Sequence, residues 1–439
     1  MFHTRLHFLP ILLIIALLLT NGLLVSPVQA QDGIQFSPPE LINQFPDQLT
    51  VRSTVVSSDQ DIIRAEIAYS RASLYSPESY TVEEIELTPG NEVNLEYTID
   101  TRDLTTPPMM SYLVRWELEL ADGTDFTSET FRVQYTDTRY DWQVLENDLI
   151  AVWWHDKPAE FGQAVFDIAS QAIQRQTELF QINLENQLLV VINNSPEEFA
   201  SWHNLAYDWV GGETFNNYGI TVQIVSSSDP ADSWLYGVIP HEISHIFFAQ
   251  ATHNPTVSIP VWLNEGLAQY NELGSQDWVL QTVQDAAKNG ELIPLHNLAR
   301  GFGAHNTERV YLAYAESLSA VNYLVEQYGT GGLASLLAAY QEGFNTEDAF
   351  PQALEISADQ FELDWAASLG AEGYSIATPP PLPTFPPSPT PGAANFSGPT
   401  PTPQPVTNPA GKSLPICSSL FGLLGIGLIA GWKSRQSSK

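Results

Sequence analysis

The chain has 439 residues, of which 17 are basic and 51 acidic, for a formal net charge of −34 at pH 7. Such a surface repels phosphates, which excludes nucleic acid as a partner, and its plain use is to keep the protein soluble. Hydrophobic residues make up 44% of the chain, enough for the cores of two domains, and the single cysteine, Cys417, rules out an intrachain disulfide.

In residues 1–30 Arg5 precedes a long apolar run, and small residues close the stretch at Ala30. That pattern predicts a secretory signal cut after Ala30, with an uncleaved N-terminal membrane helix as the alternative. No cysteine stands at the cut, so a lipoprotein anchor is not expected.

Residues 31–138 alternate with period two. Val93, Leu95, Tyr97 and Ile99 fall on one face, as do Tyr112, Val114, Trp116, Leu118 and Leu120. The segment "ADGT" is a hairpin turn leading toward "FRVQY". Six or seven strands in about 100 residues suit a β-sandwich of immunoglobulin-like type.

From residue 139 the period changes. "AVWWHD" is strand-like, and Pro158 opens a helix with Phe161, Val165, Ile168, Ala172 and Leu179 at helical spacing. "NQLLVVIN" and "GITVQIV" are further strands. From about Asp232 to Leu369 the pattern is almost wholly helical, and Ser357-x-x-Gln360 is a capping box for the last helix. The stretch 139–373 is therefore an α+β unit, a small sheet first and helices after it.

Residues 374–413 form a Pro/Thr-rich linker: 13 of the 31 prolines fall between Thr378 and Ser413. Such a stretch favours polyproline II and reaches up to roughly 110 Å at ~3.1 Å per residue. Leu414–Trp432 are nineteen uncharged residues, about enough for a bilayer core, and Lys433, Arg435 and Lys439 follow. The expectation is a membrane anchor at 414–432 with a cytoplasmic tail at 433–439, a processed sorting tail being the rival.

The chemistry is concentrated in "PHEISHIFFAQ", residues 240–250. Four residues apart on a helix, His241 and His245 present both imidazoles to one ion, and Glu242 reaches the open side as general base. A catalytic zinc site needs a third protein ligand. The metzincin arrangement would need glycine at 248 and histidine at 251, where Phe248 and Ala251 stand. His253 lies past the helix end. The better candidate is Glu265 in "IPVWLNEGLAQY", twenty positions after His245, with Gly266 leaving room for the close approach of a metal-bearing helix.

These paired motifs resemble the gluzincin metallopeptidases (peptidase MA-like), in which HExxH is followed some twenty residues on by a glutamate in a "WLNEG" setting. The resemblance covers roughly residues 140–370. It implies a thermolysin/aminopeptidase-like catalytic domain, one Zn2+ per chain held by His241, His245 and Glu265, and Glu242 as general base and later acid. In the aminopeptidase branch a catalytic tyrosine opens a helix as Tyr, two residues, then a small one. Tyr314-Ala-Glu-Ser317 is similar, which makes Tyr314 the oxyanion donor and Tyr311 the runner-up, with His296 and His305 as weaker substitutes. Gln269, one turn after Glu265, is a candidate for orienting a histidine.

Two departures from the family pattern matter. The "GxMEN"-like strand that holds a substrate's free amino terminus is missing, and Glu213 is a poor substitute, which favours endopeptidase over aminopeptidase action. Pro240 lacks the N–H a helix needs, so the helix kinks or begins there. The sequence therefore predicts an exported zinc metallopeptidase on the cell membrane, single-pass and with its catalytic domain extracytoplasmic, acting on peptides or proteins. The alternatives are a cell-surface binding protein whose sandwich binds a partner and whose metal domain is structural or inactive, and zinc hydrolysis of a substrate other than a peptide.

Overall fold

The computed structural model describes residues 33–75, 78–102, 105–203, 211–273, 277–302 and 307–376. The expected signal segment, nearly all of the linker, the anchor at 414–432, the tail and His305 lie outside the described residues. Among the described residues no helix is long and apolar enough to cross a membrane.

The N-terminal region is built from nine strands: β1 (Ile34–Phe36), β2 (Glu40–Gln44), β3 (Gln48–Ser57), β4 (Ile62–Arg71), β5 (Thr81–Ile85), β6 (Glu92–Asp100), β7 (Met110–Leu120), β8 (Asp125–Thr127) and β9 (Phe131–Tyr135). In one antiparallel sheet β3 pairs with β1, β2 and β6. The other runs β5-β4-β7-β8, with β9 also on β7. Along β7 burial alternates strictly between inward and outward residues, as period two demands. Six or seven strands were expected; β1 and β8, three residues each, are too short to carry an alternation signal. The "ADGT" turn leads into β8, and "FRVQY" is β9, paired lower on β7. Inward residues of both sheets, among them Leu49, Val51, Ile67, Val114 and Trp116, form one hydrophobic cluster.

The second region opens with β10 (Gln143–Glu146) and β11 (Ile150–Trp154), followed by α1 (Ala159–Phe180), β12 (Leu188–Asn193), α2 (Pro196–Ala200), β13 (Gly212–Phe215) and β14 (Ile220–Ile224). The sheet order is β10-β11-β12-β14-β13, parallel through β11, β12 and β14 and antiparallel at both edges. Its central strands are apolar at nearly every position because both faces are covered. Ile150, Val152, Leu188, Val190 and Ile192 pack toward the helices. Val191, Ile220, Val222 and Ile224 join the N-terminal cluster instead. The N-terminal sheets are thus seated on the back of the second sheet, where Leu74 N–H also donates to the Asn217 carbonyl at 2.7 Å.

The helical layer consists of α3 (Ser233–Thr252), α4 (Val261–Asn271), α5 (Asp277–Asn289), α6 (Thr307–Gln341), α7 (Thr346–Leu354) and α8 (Ala358–Ser368). Gly329, at φ 68°, interrupts α6. Half of the expected capping box is made: Ser357 accepts from Gln360 N–H, while the Gln360 amide turns forward to Asp364.

Candidate metal centre

Asp232 caps α3 by accepting from Trp234 N–H at 3.0 Å. The helix therefore neither begins at Pro240 nor stops there, but runs through it. Most of its residues are buried because it lies between the sheet, α1 and α4. His241, Glu242 and His245 are all buried on it.

Glu265 is buried in the middle of α4. A Cβ on Gly266 would meet the Ser317 carbonyl oxygen at 2.4 Å and Val321 at 2.7 Å. The helix that needs this glycine is therefore α6, not the metal-bearing α3 that the sequence suggested. The bare backbone lets α6 settle one residue from Glu265.

One ligand atom each from His241, His245 and Glu265 lies within 4.8 Å of the others. His241 Nε2, His245 Nε2 and Glu265 Oε2 are buried with no hydrogen-bond partner among the described residues. Buried polar atoms are nearly always paired, so three converging orphans are a donor set lacking its acceptor. The opposite ring nitrogens fix the chemistry. His241 Nδ1 meets Glu272 Oε1 at 2.9 Å, and His245 Nδ1 meets Asn264 Oδ1 at 3.0 Å. A carboxylate can only accept, so in the neutral, metal-binding form of His241 the proton sits on Nδ1 and the Nε2 lone pair is free; the Asn264 oxygen sets the same tautomer on His245. Two imidazole nitrogens and one carboxylate oxygen, with their far sides anchored, fit a zinc ion.

Glu242 is placed differently. Its Oε2 accepts from the Thr214 hydroxyl on edge strand β13, and its Oε1 has no hydrogen bond among the described residues. Burial raises the Glu242 pKa, while His245, His241 and the Thr214 bond hold it down. For His241 burial alone would lower the pKa, but Glu265, Glu272 and Glu242 outweigh it and carry the group up to about 10. That large an appetite for positive charge is the mark of a site with more carboxylate than cation.

The remaining candidates sort themselves. Gln269 is buried, but the histidines are held by Glu272 and Asn264, not by it. Glu272 is two turns beyond Glu265, and Asn264 directly precedes it; the sequence carried that spacing without saying which histidine each would reach. His253 caps the far end of α3 and stacks on Tyr75 at 5.1 Å. His296 is exposed. Glu213 is paired with His203 at 2.5 Å. Tyr314 is fully buried with its ring edge-on to Phe302 at 4.8 Å, and Tyr311, one turn earlier, is half-buried.

Residues 168–371 match the sequence family described as the peptidase MA superfamily. Over those residues, just under half of the chain, it is similar to that superfamily. No curated protein matches the chain. Among solved structures it is similar to an M1 zinc metallopeptidase mutant from Deinococcus radiodurans, at 14% identity and a TM-score of 0.34, over 79% of this chain and 96% of that one. It is also similar to OgpA from Akkermansia muciniphila, at 10% identity and a TM-score of 0.19, over 24% of this chain and 30% of that one. A catalytically inactive OgpA in complex with an O-glycopeptide, glycodrosocin, matches at 12% identity and a TM-score of 0.19, over 25% and 32%. The chain thus spans about a third of the Akkermansia structures it matches.

Proposed function

We propose that the protein is an exported, membrane-anchored zinc metallopeptidase that cuts peptide bonds internally. The observation that carries this reading is the trio of converging buried atoms on His241, His245 and Glu265 with no hydrogen bond among the described residues, set beside a glutamate with one oxygen likewise unbonded there. Zinc at that trio would supply a Lewis acid and make water a stronger nucleophile. Glu242 Oε1, the oxygen Thr214 leaves open, takes the proton from the attacking water and passes it to the departing amine. As water adds, negative charge grows on the carbonyl oxygen. The Tyr314 hydroxyl is our choice of donor to it, with Tyr311 as the alternative. Support for Tyr314 comes from α6, which touches α4 at Ser317, three residues further on and beside Glu265.

Endopeptidase action is favoured because the one acidic residue on β13, Glu213, is occupied by His203 and is not held out for a substrate's amino terminus. Export and anchoring rest on the apolar segments at 1–30 and 414–432. The sandwich at 31–138, read as immunoglobulin-like, backs the catalytic unit at 139–373.

Metal analysis of the purified protein tests the centre: one zinc per chain is expected, and loss of tight binding in Glu265→Ala. Peptides blocked by N-acetylation should be cut internally. Fewer than about 0.2 zinc per chain after supplementation sinks the reading, and release of single N-terminal residues from free peptides alone sinks its endopeptidase part.

A further inference from the structure

A proline inside a helix has no N–H, so the carbonyl four residues earlier loses its helical partner. In α3 that carbonyl belongs to Tyr236. It is not left bare: Leu273 N–H, just past the end of α4, donates to it at 2.9 Å. The Pro240 carbonyl is engaged from outside as well, by the Gln176 side-chain amide at 2.8 Å. The chain neighbours of Pro240 and Leu273 matter. Beside Pro240 stands His241, beside Leu273 stands Glu272, and those two side chains meet at 2.9 Å. The backbone bond at Tyr236 and the side-chain bond at His241, more than a turn further along α3, join the same two segments.

We infer that Pro240 is a positioning residue for the proposed zinc centre: by leaving the Tyr236 carbonyl to Leu273, it fixes Glu272 against His241 Nδ1. Any other residue at 240 would bring an N–H that competes for the same carbonyl from within the helix. The chain end of α4 would then lose its anchor, and Glu272 with it. Glu272 is also held at its own N–H by the Gln269 carbonyl, at 3.1 Å. The inference rests on the peptidase reading only in taking His241 as a metal ligand.

The test is zinc affinity by competition with a chromophoric chelator, using the full chain and the variants Pro240→Ala, Glu272→Gln and both together. Loss of an outer carboxylate typically weakens metal binding by about 10–100-fold. Glu272→Gln is expected in that range, Pro240→Ala about 10-fold, and the double variant no weaker than Glu272→Gln alone. A proline that merely shapes the helix would give two effects that multiply, and that result, or unchanged affinity in Pro240→Ala, overturns the inference. Hydrogen exchange of the Leu273 amide in the metal-free protein gives a readout independent of zinc and of whether Pro240→Ala folds. Slow exchange is expected; exchange as fast as an open loop refutes the anchor. A native protein that binds no zinc at all, yet protects Leu273, condemns the peptidase reading and leaves the anchor standing.

Discussion

The N-terminal sheets and the helical layer handle charge in opposite ways. In the sheets, ion pairs sit outside: Arg52 with Glu96, Arg64 with Glu84 and Glu66, Arg102 with Asp47, most of them well exposed. Such pairs contribute little to stability, and the sheets are held by their apolar faces. In the helical layer carboxyls lie inside: Glu242, Glu265, Glu316 and Glu362 are all buried. A buried carboxylate is tolerated only with a partner, or when it is neutral. Each of these four meets the requirement differently. Glu265 points at the candidate metal centre, Glu242 takes one hydroxyl, Glu362 accepts from Tyr374, and Glu316 accepts from Ile293 N–H while its second oxygen has no hydrogen bond among the described residues. The lesson is that, among the described residues, the N-terminal region buries one carboxylate, Asp137 beside Arg139, whereas the helical layer buries four, two of them at the candidate metal centre.

The sharpest way to break that contrast is at Glu242. Glu242→Ala should lower peptidase kcat by about 10²–10⁴-fold, the usual contribution of a general base, with zinc content and melting temperature retained. Activity within a few-fold of the native protein would mean that its burial has no catalytic purpose.

Glu316 tests the other half of the contrast, an inward carboxyl with no catalytic role. Burial pushes its pKa up to about 8, with Glu362 adding to the rise and Arg309 and the Ile293 bond opposing it. The folded chain keeps this proton after the unfolded chain has released it. Between the ordinary carboxylate range and pH 8 the unfolded state therefore binds fewer protons, and stability falls as pH rises through that window. Glu316→Gln, which keeps the acceptor oxygen, should raise Tm at pH 8 by roughly 2–4 °C, should flatten its decline between pH 5 and 8, and should matter little at pH 5. Calorimetry at the two pH values decides it; an equal shift at both would assign the effect to packing rather than to the charge.

The smallest expected effect concerns charge near the candidate centre. Between Gln176 and Ala299 there are fourteen acidic residues and one cation, Lys288. Glu242 and Glu265 belong to the centre, and Glu198, Glu213 and Glu272 are taken by histidines. The remaining surplus should draw cationic peptides, with screening over about 10 Å at 0.1 M salt. A Lys-rich peptide should show a kcat/KM a few times that of an acidic peptide of equal length, the gap closing at high salt. Equal values at both salt concentrations would place those carboxylates too far from the candidate centre to act on a substrate there.

Sequence alone determined what is local. Strand alternation at Val93–Ile99 and Tyr112–Leu120, the apolar stripe of α1, and the four-residue spacing of His241 and His245 are all set by the repeat of one element. Glu265 was also legible, because a helix, a link and a second helix fit its twenty-residue offset. Short strands such as β1 and β8 were not, having too few residues to show a period. Only the tertiary structure decided who meets whom across elements. Glu272 reaches His241 over 31 positions, Asn264 reaches His245 over 19, and Thr214 reaches Glu242 over 28. It also turned Gly266 toward α6, spent Glu213 on His203, and passed the bond that Pro240 cannot make to Leu273. The physical reason is that hydrophobic period and ligand spacing follow from backbone geometry within a segment, whereas a hydrogen bond between segments depends on how packed faces are rotated and shifted against each other, and no single segment encodes that.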